Sequence, residues 1–528
     1  MTVRQWACLF ALVTLLIGGA GPAQAQTPAG RQVPPAAAAA TTCAALVRHD
    51  FAGIPDAPTA IASAQVVPAT AGAASYCRVT GTIAPQIQFE LRLPAGWNGR
   101  YLQAGCGGFC GFIPIDSCAP GLAGGFAVAA SNLGHSGGVW TAPVWASDPM
   151  LRRDFGGRAT HVLALAAKTI VATYYGTAPH HSYFQGCSTG GREGLQVAQN
   201  HPADFDGIIA GDPAFAGRLG AIWNNWIGRT LMSPAGTPVF DAAGINILHA
   251  AVVAACDARD GLADGIIEDS RRCDFDPKVL SCTAAGQTGC LTTAQVAAAT
   301  AMYDGARNGS GTLLYPGGAP RGSELDWNGP LFAEIAQQSL RFLAFPTPRP
   351  TFDYRDFDWD RDVKDVEAAA ATYDAVAPGT APRLGAFRKR GGRLIAYHGS
   401  YDYGVPPAGL IDYYAQVWTR EGGLPATRDW FRLFLVPGMF HCRGGDAPNT
   451  FDMLTAIVNW VEQDRAPDGI IASQSNGAGA VLRTRPLYAY PDVARYKGRG
   501  DVNVAANWVR KTMQPGEDRI DWLWKPRE

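Results

Sequence analysis

Beyond residue 25 this 528-residue chain has no apolar run long enough to form a transmembrane helix. It is also short of charge. Asp, Glu, Lys and Arg make up 17% of it, the formal net charge is −1, and no run of Lys or Arg breaks that balance. Nothing in it would draw nucleic acid or an anionic membrane electrostatically. No internal repeat is present, which argues against a solenoid or propeller. What remains is an ordinary globular composition, 47% hydrophobic with 62 Gly and 37 Pro. The length suits one large domain with an insertion, or two domains. The expected partner is a small or neutral substrate; no protein partner, nucleic acid or membrane is inferred.

The N-terminus reads as a secretory signal over residues 1–25. Arg4 precedes the apolar stretch Cys8 to Ile17, and Ala23-Gln24-Ala25 supplies the small residues a signal peptidase needs, with cleavage before Gln26. Residues 26–42, rich in Pro and Ala, read as a disordered leader. The chain is therefore expected to be secreted or periplasmic, where disulfides persist. Removing Cys8 with the signal leaves eleven of the 12 cysteines, so at least one stays unpaired or bridges another chain. Cys256 with Cys273, and Cys282 with Cys290, are local pairs.

Short β-rich runs alternate with helical ones from about residue 77 to 215. Gln88 to Leu93, Arg100 to Gln103, Phe126 to Ser131 and His181 to Phe184 read as strands. Thr160 to Tyr174 and Gly191 to Asn200 read as helices. The stretch 216–384 changes character, with four cysteines, an acidic loop and many aromatics. Alternation resumes with strands at Arg393 to Tyr397 and Arg432 to Val436 and a helix over Phe451 to Gln463. The pattern predicts an α/β protein with a mostly parallel sheet, formed by 43–215 and 385–528, into which 216–384 is inserted as a lid.

Gly186-Cys187-Ser188-Thr189-Gly190 fits G-x-S-x-G, the pattern that raises a serine hydroxyl on a sharp strand-to-helix turn. In a glycine-rich chain the pattern alone says little, and Gly134-His135-Ser136-Gly137-Gly138 matches it too. Context separates them: Ser188 has a strand before it and a helix after it, whereas Ser136 has no helix to begin. In α/β-hydrolases the acid and then the histidine follow the serine along the chain, each on a loop after a strand. The strand ending at Tyr397 leads to Asp402, and the strand ending at Val436 leads to His441. Asp402 and His441 therefore fall where an orienting acid and a general base are needed. His398 reads as pocket lining. Cys187 precedes the serine and Cys442 follows the histidine. If Ser188 and His441 meet, those cysteines come within disulfide reach, and the bridge would close a very long loop, worth about 5 kcal/mol on the chain-entropy account.

Cys187-Ser188, Asp402 and His441-Cys442 resemble the CS-D-HC constellation of the tannase and feruloyl esterase family, which includes hydrolases of terephthalate monoesters. The resemblance runs from Cys77 to about Trp508. It implies an α/β-hydrolase fold with a large inserted lid domain and hydrolysis of aromatic carboxylic esters, of hydroxycinnamic or hydroxybenzoic type. It also implies oxyanion donors at the backbone N–H groups of Thr189 and Gly108. In Cys256 to Ile266 hard oxygen donors crowd one turn-rich stretch that is not an EF-hand. The similar loop of the family holds a structural Ca²⁺, which carries over to Asp257, Asp260 and Asp264 by side chain and Leu262 and Ile266 by carbonyl. The remaining cysteines are assigned as Cys43–Cys77 and Cys110–Cys118, with Cys106 free. Where terephthalate monoester hydrolases need a lid Arg, the matching stretch here holds Phe332, with Arg321 and Arg341 nearby. That departure favours a feruloyl or hydroxybenzoyl ester. Other readings left open are a terephthalate monoester hydrolase, a tannase, a peptidase, and a calcium-dependent secreted binding protein without catalysis.

Overall fold

A computed structural model describes residues 39–513, apart from 71–73, 217–218, 285 and 370–381. The expected signal 1–25 and nearly all of the leader 26–42 lie outside the described residues. Among the described residues, no helix is long and apolar enough to cross a membrane.

Among the described residues, nine strands form one sheet: β1 Thr59–Val67, β2 Tyr76–Ile83, β3 Ile87–Pro94, β4 Arg100–Ala104, β5 Ala127–Ser131, β6 His181–Cys187, β7 Gly207–Gly211, β8 Arg393–Gly399 and β9 Phe431–Val436. Their order is β1-β2-β3-β5-β4-β6-β7-β8-β9. The β1–β2, β2–β3 and β3–β5 pairs are antiparallel, and every pair from β5 onward is parallel. All six expected strands are present. Helices of eight or more residues are numbered. The expected ones are α1 Ala159–Tyr175, α2 Thr189–Asn200 and, near the C-terminus, α9 Met453–Gln463.

Alternation along the central strands feeds two cores. In β4, Tyr101 packs into the cluster covered by Val162, Leu163 and Ile170 of α1, while Leu102 packs into the opposite one with Ile457 and Trp460 of α9. Both residues are fully buried, as a sheet covered on both faces requires. Glu462 of α9 is tied across the sheet, accepting from the Arg100 guanidinium at 2.6 Å and from the Tyr183 hydroxyl at 2.7 Å.

Between β7 and β8 the chain adds α3 Asn224–Leu231, α4 Ala242–Cys256, α5 Thr293–Asp304, α6 Gly329–Phe342 and α7 Asp362–Ala369. The segment has a core of its own, including Trp223, Ile227, Met302, Leu340, Phe345 and Phe357. Gly228 lets α3 lie against Ala333 of α6, since a Cβ there would stand 2.8 Å from the Ala333 Cα. Trp226, Trp327, Phe352, Tyr354 and Trp359 pack on this core. The aromatics that marked the segment in sequence thus chiefly build it. After β8 come α8 Pro407–Arg420 and, beyond α9, the hairpin β10 Gly469–Ser475 and β11 Val481–Tyr488.

Among the described residues, five disulfides are present. Cys43–Cys77, Cys187–Cys442, Cys256–Cys273 and Cys282–Cys290 are as expected. The fifth corrects the expected Cys110–Cys118 pair: Cys110 bonds Cys106, and Cys118 is free and buried. The reason is the sheet. Cys106 and Cys110 pack in one core cluster and Cys118 in the other, so the sheet separates Cys110 from Cys118.

Candidate active site

Ser188 stands between β6 and α2 with φ 63° and ψ −119°, a conformation uncommon for a residue with a side chain. Two glycines make that turn possible. A Cβ on Gly186 would lie 2.6 Å from the Gly190 backbone, and one on Gly190 would lie 3.0 Å from the Cys106 carbonyl. The Ser188 N–H donates to Gly211 at 3.0 Å, and its carbonyl accepts from Arg192 and Ala214 at 3.0 Å each. The serine backbone is thus held on both sides.

Gly108 lies in the loop after β4, with φ 58°. The Thr189 hydroxyl donates to its carbonyl at 2.7 Å. Buried Glu193 anchors the same loop, accepting from the Cys106 N–H at 2.9 Å and the Thr160 hydroxyl at 2.7 Å. The Gly107 carbonyl accepts from the Cys110 N–H at 3.0 Å, which fixes the peptide carrying the Gly108 N–H. The rival motif at Ser136 braces this loop from behind. His135 Nε2 donates to the Phe109 carbonyl at 2.7 Å, and the Phe109 N–H donates to Val139 at 2.8 Å.

Asp402 follows β8 and His441 follows β9. The His441 Nδ1–H donates to Asp402 Oδ2 at 2.6 Å, and the Val405 N–H donates to Asp402 Oδ1 at 2.8 Å. Asp402 is fully buried while a third of the His441 side chain is open. Burial opposes the charge on Asp402, but the His441 charge and hydrogen bonds from both histidines outweigh it and hold the carboxyl well below the usual carboxylate range. Burial likewise opposes the His441 imidazolium, and Asp402 first, then Asp212 and Asp326, more than offset it and raise its pKa. The Cys187–Cys442 bridge, with a Cα–Cα distance of 6.0 Å, ties the residue before the serine to the residue after the histidine.

His398 does not line the pocket, contrary to the sequence expectation. It is fully buried behind Asp402, its Nε2 donating to the Val405 carbonyl at 2.6 Å and lying 3.3 Å from Asp402 Oδ2. Sequence reasoning also missed Asp212, which follows β7 and shares this buried space with Asp402 and His441. The signal was an Asp at the end of a strand, but the strand, Gly-Ile-Ile-Ala-Gly, was itself unread.

Ser188, Thr189, Gly108 and His441 line one cavity of about 280 Å³, with Phe109, Trp140, Phe155, Phe332 and Tyr403 as its aromatic walls. Phe332 and Tyr403 pack with ring centroids 5.0 Å apart. Leu331 and Ile335 of α6 also line it. Arg321 and Arg341 do not reach the cavity; they donate to the carbonyls of Phe275 and Phe352. The one Arg or Lys in its wall among the described residues is Arg192, whose guanidinium donates to the Phe155 carbonyl at 2.8 Å and lies 4.3 Å from the centre of that ring. Asp326 faces His441, its carboxyl pushed up to about 6 by burial and by Asp402.

In the acidic loop, Asp257 accepts from the N–H groups of Asp264 and Gly265, Asp260 from Leu262, and Asp264 from Ile266. The Leu262 and Ile266 carbonyls accept no backbone hydrogen bond among the described residues, although Ile266 is buried. Arg485 sits against the loop, 3.7 Å from Asp260, 3.4 Å from Asp264 and 2.7 Å from Glu268. Three carboxylates thus face one guanidinium. The donor set, carboxylates and free carbonyls alone, suits a hard cation.

The family described as tannase and feruloyl esterase matches residues 70–511. The mono(2-hydroxyethyl) terephthalate hydrolase of Piscinibacter sakaiensis is 35% identical, over 84% of this chain and 86% of that one. A probable feruloyl esterase of Arthroderma benhamiae is 33% identical, over 79% and 80%. The crystal structure of feruloyl esterase B from Aspergillus oryzae superposes with a TM-score of 0.79 at 28% identity, covering 89% of this chain and all of that one.

Proposed function

The chain belongs to the tannase and feruloyl esterase family and is a carboxylic ester hydrolase, and from that premise we propose that it cleaves esters of aromatic carboxylic acids through Ser188, His441 and Asp402. The observation carrying this reading is that Ser188 and His441 line one cavity, with the Asp402 hydrogen bond behind the imidazole and a disulfide joining their neighbours. His441 takes the Ser188 proton as Oγ attacks the ester carbonyl. The N–H groups of Thr189 and Gly108 receive the oxyanion. Collapse breaks the bond to the alcohol, which leaves with the proton from His441. Water, deprotonated by the same imidazole, then releases the acid and restores the serine. The helical segment between β7 and β8 is read as a lid, since Leu331, Phe332 and Ile335 of its α6 line the same cavity as the serine.

The flat acyl ring is placed between Phe332 and the oxyanion loop. A hydroxycinnamoyl or hydroxybenzoyl group suits this wall, because the cavity's one Arg or Lys among the described residues, Arg192, is committed to Phe155. A terephthalate monoester is the second reading, favoured by the likeness to the Piscinibacter hydrolase. The acidic loop is proposed to hold a structural Ca²⁺ through Asp257, Asp260, Asp264 and the carbonyls of Leu262 and Ile266, where the ion would supply the positive charge that Arg485 alone does not. The five disulfides and the N-terminal pattern support export.

The test is kcat/KM for methyl ferulate, methyl gallate and mono(2-hydroxyethyl) terephthalate, wild type against Ser188→Ala. Methyl ferulate or methyl gallate should lead, and Ser188→Ala should lose at least about 10⁴-fold on every ester cleaved. Preference for the terephthalate monoester would favour the second reading. Turnover surviving Ser188→Ala would overturn both.

A further inference from the structure

Asp212 is a fully buried carboxylate with no assigned part in the chemistry. It directly follows β7, which lies in the sheet between β6, leading to Ser188, and β8, leading to Asp402. Its φ of 36° is unusual for a residue with a side chain, a form of strain found where surroundings force a position. The backbone is fixed by its N–H, which donates to the Tyr397 carbonyl at 2.8 Å. Oδ1 accepts from the Gly399 N–H at 2.9 Å. Oδ2 faces the Cys187 sulfur at 3.5 Å, and that sulfur, bonded to Cys442, has no proton to give. One carboxylate oxygen is therefore held while the other has no donor among the described residues. An oxygen of Asp212, an oxygen of Asp402 and a ring nitrogen of His441 all lie within 4.8 Å of one another.

We propose that Asp212 is a second acid of the catalytic charge system: it stabilises the His441 imidazolium from behind the disulfide and takes over as partner of that ring when Asp402 is neutralised. The proposal rests on the triad reading above. As Ser188 gives its proton to His441, two carboxylates face the new positive charge, the nearer by hydrogen bond and the farther through low-dielectric space. Asp212 acts through His441 and touches no reacting atom, so it is a positioning residue. The groups facing the pair are His398, Asp402 and Tyr397 from β8 and its loop, and Asp326 from the inserted segment. Each carboxylate raises the histidine's pKa, so removing Asp212 alone should let it fall.

The test is a double-mutant cycle on p-nitrophenyl acetate, an ester that makes no demand on the aromatic subsite, with Ser188→Ala as the blank. Asp402→Asn should lose roughly 10²-fold in kcat rather than the roughly 10⁴-fold expected when the acid has no substitute. Adding Asp212→Asn should cost at least about tenfold more in that background than in wild type. Asp212→Asn alone should move the acid limb of kcat/KM down by roughly 0.5 to 1 pH unit. An Asp212→Asn effect equal or smaller in the Asp402→Asn background would overturn the proposal. Should the Asp212 variants fail to fold, Asp402→Asn decides alone: a loss of roughly 10²-fold in kcat supports the proposal, and a loss of roughly 10⁴-fold or more overturns it. A wild type no better than the blank would overturn the triad reading as well.

Discussion

Ser188 owes its conformation to neighbours without side chains, and the same holds around the base. Gly399, the last residue of β8, lies where a Cβ would collide with the carbonyls of Met439 and Phe440, immediately before His441. A backbone cannot yield there as the tip of a side chain could. Gly399→Ala is therefore expected to push the histidine loop outward. It should lower kcat at least tenfold with little change in KM and cost about 1–3 kcal/mol in thermal unfolding. A variant with unchanged kcat would show that the His441 loop is set elsewhere. Ser188, Asp402 and His441 were legible in the sequence because each follows a strand and carries the residue type that chemistry requires. Asp212 and His398 were not, because their significance lies in what they face across the sheet, and a sequence records only what precedes and follows.

Among the elements, six of the nine strands of the central sheet were legible in sequence, and β1, β2 and β7 were not. β7 was missed because five small or aliphatic residues ending in glycine carry no alternation when both faces are buried. Those glycines are required by packing: a Cβ on Gly207 would meet Tyr183 at 2.8 Å, and one on Gly211 would overlap the Tyr397 ring. The cysteine error has the same origin, since spacing cannot say on which face of a sheet a thiol is buried. The acidic loop is the element for which an ion is proposed. If it holds Ca²⁺, a chelator should lower the melting temperature of the wild type by several degrees, and added Ca²⁺ should restore it. Asp264→Asn should abolish that Ca²⁺ response. A melting curve indifferent to both chelator and ion would contradict the assignment.

For the whole molecule, the essential event is that chain segments far apart in sequence arrive at one edge of one sheet. The parallel run β6-β7-β8-β9 places the loops bearing Ser188, Asp212, Asp402 and His441 side by side, although a helical segment with its own core intervenes between β7 and β8. Cys187–Cys442, 255 residues apart in sequence, records that closure covalently. The alternation of strand and helix made this order legible, whereas the cavity was not. Its walls come from the loop of Gly108 and Phe109, from α6 and from the turn after Asp402, which meet only on folding. The most direct check is labelling by a fluorophosphonate, followed by peptide mapping, in wild type and in His441→Ala. One label per chain on the peptide containing Ser188, with labelling at least about 10³-fold slower in His441→Ala, is the predicted result. Label on another serine, or labelling of Ser188 indifferent to His441, would contradict it.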